Sequence, residues 1–293
     1  MNVPQRIQIT EVGPRDGLQM EKRVLPTRIK VDLIGGLVEA GVSSIQVGAF
    51  VHPRKIPQMA DTDALAELLP VREHVHYSAL TLNLKGVERA CRTSIAWIEV
   101  SLSASDAHGR RNAGLSLPEA IQEAGAMVTL AARAKRRLRA SIQCAFGYTD
   151  PLDVGVEQVV RMTRFLVDQG IDLLVLADTA GMATPQTLTD VLAAVIPQAG
   201  TVPVGLHLHD TRGFGALNVR AALQMGIIHF DTALGGLGGC PFLAGASGNI
   251  ATESTVRLIH GLGIDTGIDA AKVAVWSRRL NRYFGRALPA GTQ

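Results

Sequence analysis

The 293-residue chain is 47% hydrophobic and 19% charged, with a net charge of +3, which describes a globular protein with a large core and excludes a disordered one. The charge is mild, no basic stripe interleaves with aromatics, and no apolar run is long enough to span a bilayer, so nucleic acid and membrane are excluded as partners. Three cysteines, Cys91, Cys144 and Cys240, show no C-x-x-C spacing and residues 1–6 lack a signal-like apolar stretch, which points to reduced thiols in a cytoplasmic setting.

Taken along the chain, short β-branched runs predict strands over residues 7–12, 44–49, 74–80, 95–102, 138–145, 171–177, 202–209 and 228–233. Amphipathic helices are expected over 27–40, 117–139, 154–169, 187–198 and 215–225. Alternating apolar strands and helices predict an α/β fold, a (β/α)₈ barrel forming a single domain over 1–293, with a helical extension from about 265 to 293. An open doubly wound sheet is the alternative, but no G-x-G-x-x-G follows the first strand. The basic run from Arg133 to Arg139 falls at a predicted helix end and reads as a solvated face. Cys91 and Cys144 lie in apolar surroundings and read as core.

In such a barrel the chemistry sits at the carboxyl ends of the strands. That filter selects Glu11, Arg15 and Asp16, then Gln46, then Asp178 and Thr179, then His207 and His209, and finally the Gly-rich stretch 235–249. Within L-H-L-H-D-T (206–211), His207 and His209 are two apart and share one strand face. Paired imidazoles commonly hold a divalent metal, although two hydrogen-bonded core histidines are the other reading. An acid, a thiol and an amide in matching loop positions favour the metal. Asp16, His207, His209 and Asn249 form a mixed nitrogen and oxygen set that suits Mg²⁺ or Mn²⁺ better than structural zinc. Cys240, between Gly239 and Pro241, has little packing reason to be there and is expected to be a catalytic thiol on a mobile loop.

The segments E-V-G-P-R-D-G-L-Q (11–19), F-V-H-P-R-K-I-P-Q-M-A-D (50–61), Y-S-A-L-T-L-N-L-K-G (77–86), A-D-T-A-G (177–181), L-H-L-H-D-T (206–211) and G-L-G-G-C-P-F-L-A-G-A-S-G-N (236–249) together resemble the 3-hydroxy-3-methylglutaryl-CoA lyases of the DRE-TIM metallolyases. The resemblance runs in order from about residue 7 to 255. It implies a barrel that uses a divalent cation to cleave a 3-hydroxyacyl-CoA into acetyl-CoA and a keto acid. It further implies Asp16, His207, His209 and Asn249 as ligands, Arg15 as enolate stabiliser, and Cys240 as proton donor, with a second role for His207 in proton transfer. Asp178 is expected to be catalytic, and Gln19, Gln46 and Asn112 to bind substrate. An acyl-CoA and a second copy of the chain, as a homodimer, are the expected partners.

The chain also departs from that family. Where the lyases carry I-E and then T-S-F, it reads I-Q-V-G-A-F, so Gln46 stands at a glutamate position and Ala49 at a serine position. Val175 replaces a small polar residue. Gln46, Ala49 and Val175 are therefore expected to set substrate specificity, and the lost carboxylate to remove a negative charge near Arg15. These departures leave a related ester such as citramalyl-CoA as an alternative substrate. A condensing synthase and a catalytically impaired binding homologue are further alternatives.

Overall fold

The computed structural model describes residues 4–240 and 243–286, with only the backbone described for 239–240 and 243–247. Strands Gln8–Glu11 (β1), Ser44–Ala49 (β2), His76–Thr81 (β3), Trp97–Ser103 (β4), Arg137–Gln143 (β5), Leu173–Ala177 (β6), Val204–His207 (β7) and His229–Thr232 (β8) pair in sequence order and close β8 onto β1. Every pairing in that ring is parallel. The expected (β/α)₈ barrel is the fold.

Helices Thr27–Glu39 (α1), Thr62–Leu68 (α2), Leu84–Cys91 (α3), Asp106–Asn112 (α4), Leu117–Arg133 (α5), Val156–Asp168 (α6), Pro185–Ala199 (α7) and Gly215–Gln224 (α8) connect the strands. Thr252–Gly261 (α9) and Ala270–Phe284 (α10) follow the barrel, and α10 packs on α1 and α9. The main apolar core fills the layer between strands and helices, with Leu33, Ile45, Ile98, Leu174 and Leu192 all buried there. Among the described residues, no helix is long and apolar enough to cross a membrane.

Two local departures from expectation shape the site. The helix predicted to run to 139 stops at Arg133, because Lys135 takes a left-handed φ of 54° and turns the chain into β5. Arg137 therefore opens β5, and Arg139 lies inside the barrel at 3% exposure instead of on a solvated face. In β2 the pairing slips by one residue between Gln46, opposite Ser78, and Gly48, opposite Ala79, a bulge that bends the strand end. Cys144 is buried as expected, and burial pushes its thiol up to about 12, whereas Cys91 is only partly buried against the core.

Candidate active site

Val12 starts the site. Its carbonyl accepts the N–H groups of Arg15 and Asp16 at 3.0 and 2.7 Å, folding Gly13–Gly17 into one tight turn at the carboxyl end of β1. Gly13 is required there, since a Cβ would come within 2.3 Å of Leu234 Cδ2. The turn carries Arg15 and Asp16 over the barrel mouth, where Arg15 Nη1 bonds Asp16 Oδ1 at 2.5 Å. Burial works against ionising Asp16, but Arg15 and the two histidines outweigh it and hold the carboxyl well below the usual range.

His207 ends β7 and His209 lies two residues on, with their Nε2 atoms 3.3 Å apart. The shared face expected from strand alternation is the one observed. His207 Nδ1 lies 3.2 Å from Asp231 Oδ2 on β8, a contact that favours the tautomer with a free Nε2. Burial, followed by the neighbouring His207, brings His209 down to about 4, so its imidazole is neutral and able to ligate. Asn249 arrives by backbone pairing beyond the strand: Asp210 N bonds Gly248 O at 2.7 Å and Ile250 N bonds Leu208 O at 3.1 Å, which sets Asn249 opposite His209. Asn249 Nδ2 donates to Asp16 Oδ2 at 2.7 Å and to Leu237 O at 2.9 Å. Gly238, at φ 119°, leaves room for this amide, because a Cβ would lie 2.6 Å from Asn249 Nδ2.

One ligand atom from each of Asp16, His207 and His209 lies within 4.8 Å of the others. Asn249 Oδ1 is buried with no hydrogen-bond partner among the described residues, an arrangement that is costly unless something else satisfies it. The group can hold a divalent cation.

The remaining sequence-selected residues divide between the cavity and its surroundings. A cavity of about 530 Å³ opens over the site, and Arg15, Asp16, Gln19, Asn112, Val175, His207 and His209 all line it. That volume is ordinary for a small-molecule site. Asn112 ends α4 and donates to Gln143 Oε1 at 3.3 Å. Gln46 is fully buried behind the wall, where its Oε1 accepts from Arg15 Nε and its Nε2 donates to Glu99 Oε2 at 2.6 Å. Ala49, at the end of β2 beside Leu80, is buried off the cavity wall. Asp178 is also off the wall: its Oδ1 accepts the N–H groups of Met182 and Ala183 at 2.7 and 3.0 Å, its Oδ2 is unpaired, and burial raises it to about 6. Glu11 closes the loops below the mouth, accepting from Gly13 N, Leu234 N and Thr252 Oγ1 at 2.7, 2.9 and 2.6 Å. The backbone of Cys240 forms a short antiparallel pair, Gly239–Cys240 (β9) with Leu243–Ser247 (β10). Its thiol lies outside the described residues.

Three charged residues were not selected from the sequence. Arg139 Nη2 bonds Asp231 Oδ2, and Arg139 Nε lies 2.6 Å from Glu99 Oε2. Burial opposes the Arg139 charge, but Asp231 and Glu99 more than compensate and raise it further. Gln46 itself carries no charge beside Arg15, and Glu99 on β4 sets a carboxylate on the far side of that same amide. A continuous polar chain runs from Asn249 through Asp16, Arg15, Gln46, Glu99, Arg139 and Asp231 to His207. Formally it holds three carboxylates against two guanidinium groups, so a bound divalent cation would leave the site net positive and suited to an anionic ligand.

The HMGL-like family pattern matches residues 6–279 of the chain. The hydroxymethylglutaryl-CoA lyase of Pseudomonas mevalonii is 38% identical over 97% of this chain and 94% of its own. The (R)-citramalyl-CoA lyase of Chloroflexus aurantiacus is 39% identical over 97% of this chain and 93% of its own. The crystal structure of HMG-CoA lyase from Bacillus subtilis superimposes with a TM-score of 0.95 at 37% identity, over 99% of this chain and 98% of that one.

Proposed function

Because the chain belongs to the HMGL-like family, we propose that it is a divalent-cation-dependent carbon–carbon lyase that cleaves 3-hydroxy-3-methylglutaryl-CoA to acetyl-CoA and acetoacetate. The observation that carries this reading is the cluster of Asp16, His207 and His209 on one side of the cavity, with Asn249 bonded to Asp16 through Nδ2. In the reaction the C3 hydroxyl loses its proton, the C2–C3 bond breaks, and its electron pair passes to the thioester as an enolate that then takes up a proton.

Asp16, His207, His209 and Asn249 would hold Mg²⁺ or Mn²⁺. Either ion supplies acidification and orientation of the substrate hydroxyl. Arg15 is anchored through Nε to Gln46 and through Nη1 to Asp16, leaving Nη2 to donate toward the thioester oxygen where negative charge develops. Asp231 orients His207, and Arg139 in turn holds Asp231. This support lets His207 keep one geometry while a proton moves nearby. Cys240 would protonate the enolate carbon, and Asp178 would act from beside the cavity through Oδ2, which has no partner among the described residues. Gln19, Asn112 and Val175 would contact the acyl group, with Gln46 and Ala49 acting on specificity from behind the wall. The sparse cysteines support a cytoplasmic setting, and a homodimer completes the reading; light scattering on the purified protein tests the latter.

Citramalyl-CoA is the second substrate reading, favoured by Gln46, Ala49 and Val175 at family polar positions and by the similarity to a citramalyl-CoA lyase. The test is to supply each ester with Mg²⁺ or Mn²⁺ and follow acetyl-CoA with acetoacetate or pyruvate. Acetoacetate as the main product supports the first reading, pyruvate supports the second, and no acetyl-CoA from either ester refutes both.

A further inference from the structure

The barrel order places β4 and β5 across the cavity from β1 and β8. Barrel interiors are usually packed with Val, Ile and Leu, but Glu99 and Ser101 of β4 and Ser141 and Gln143 of β5 line this one. Ser101 Oγ accepts from Ser141 Oγ at 2.7 Å and from Gln143 Nε2 at 2.8 Å. Those two bonds occupy its lone pairs, so the Ser101 proton remains to be donated, and Gln143 keeps a second amide hydrogen. One layer deeper, Gln46 and Arg139 both contact Oε2 of Glu99, which leaves Oε1 as an acceptor. Arg139 is taken up between Glu99 and Asp231.

The wall thus offers neutral donors beside an anionic acceptor. A methyl group would leave both unmet, at the cost of burying unpaired polar atoms. A carboxylate would find the Glu99 charge opposing it. A hydroxyl meets both requirements, giving its proton to Glu99 and accepting from Ser101 or Gln143. Val175 on the neighbouring strand β6 supplies an apolar boundary. Building on the lyase reading above, we propose that Glu99, Ser101, Ser141 and Gln143 form an acyl-recognition subsite. It selects acyl-CoA esters whose hydroxyl-bearing carbon carries a neutral, hydroxylated substituent over those carrying a plain methyl.

The test uses the full chain with Mn²⁺ and two esters that differ in one group, 3-hydroxy-3-methylglutaryl-CoA and its 3-hydroxymethyl analogue, with acetyl-CoA release as the readout. The expected result is a kcat/KM about 10-fold or more higher for the hydroxymethyl ester, the scale of at least one well-made neutral hydrogen bond. Ser101→Ala and Gln143→Leu should each lower that ratio by about 10-fold, at the upper end for one neutral hydrogen bond, with thermal midpoint and bound Mn²⁺ unchanged. Ser101→Thr, which keeps a hydroxyl, should preserve the preference. A wild-type preference for the methyl ester, or an unchanged ratio in both folded deletion variants, overturns the subsite and leaves the lyase reading standing. No cleavage of either ester with Mn²⁺ bound overturns both.

Discussion

The two sides of the cavity use polar residues in opposite ways. On the β1 and β7 side, side chains are held by neighbours around one cluster of ligand atoms: Asp16 by Arg15 and Asn249, His207 by Asp231, Asn249 by Leu237. On the β4 and β5 side, the groups bond mainly to one another, Ser141 and Gln143 to Ser101, and Gln46 and Arg139 to Glu99. The first arrangement concentrates lone pairs for a cation, and the second leaves a few neutral donors and one acceptor. The contrast separates rate from selectivity. Changes on the first side should slow every ester alike, whereas changes on the second should alter the ratio between esters.

Arg139 belongs to both sides, so its removal is the strongest way to break the comparison. Arg139→Met leaves Glu99 and Asp231 buried without their shared cation, and should cost about 3–5 kcal/mol of stability in urea unfolding, the scale for breaking a buried ion pair. Adding Glu99→Gln to that variant should recover part of the loss. A near-neutral Arg139→Met would show that the two sides are independent.

Cys240→Ser should lower turnover by about 10²-fold while substrate binding is kept, the scale for a positioned general acid. Cys91→Ser and Cys144→Ser should keep most activity. Equal effects from all three substitutions would remove the special role of Cys240.

Gln46→Glu sharpens the comparison further. Read from the sequence, that change restores a missing charge; in the structure it sets a second carboxylate against Glu99 Oε2, where the amide now donates at 2.6 Å. The single variant should lose about 1–3 kcal/mol, the cost of a buried group losing its hydrogen-bond partner. Gln46→Glu with Glu99→Gln should regain most of it by exchanging acid and amide, a coupling that a double-mutant cycle measures directly. Additive losses would contradict the pairing.

How much of this was legible beforehand depended on whether the signal was local. His207 and His209 were readable because strand alternation acts over two residues, and Asp16 because Gly13 and Pro14 enforce a turn at the end of β1. Asn249 was offered from the sequence only as an amide in the Gly-rich stretch, because its place depends on the pairing of 248–250 with the end of β7. Arg139 was misread because helix and strand meet at Lys135, where only the left-handed φ marks the boundary. Glu99 and Asp231 were passed over because their partners are remote in the chain, Asp231 lying 92 residues from Arg139. Ser101 and Ser141 look like the solvated face of a half-exposed strand, and only closure of the barrel turns that face into a cavity wall.

A further test lies below both sides. Burial raises Glu11 from 4.5 to about 8 despite its three hydrogen-bond donors. A carboxyl raised on folding adds stability that is fully present below its unfolded value and is lost as pH climbs through its folded value. Wild-type stability should therefore decline between about pH 4.5 and 8 relative to Glu11→Gln, whose amide can serve the same partners. Parallel pH profiles for the two proteins would place the pH dependence elsewhere.

The most direct measurement is divalent-metal content and lyase rate in His207→Ala/His209→Ala beside the wild type, after both are loaded with Mn²⁺ and passed through gel filtration. The wild type should retain the ion and cleave its ester, while the double variant should keep its fold, retain no ion and lose activity. Unchanged metal content in a folded double variant would contradict the assignment of the β1 and β7 side as the metal site.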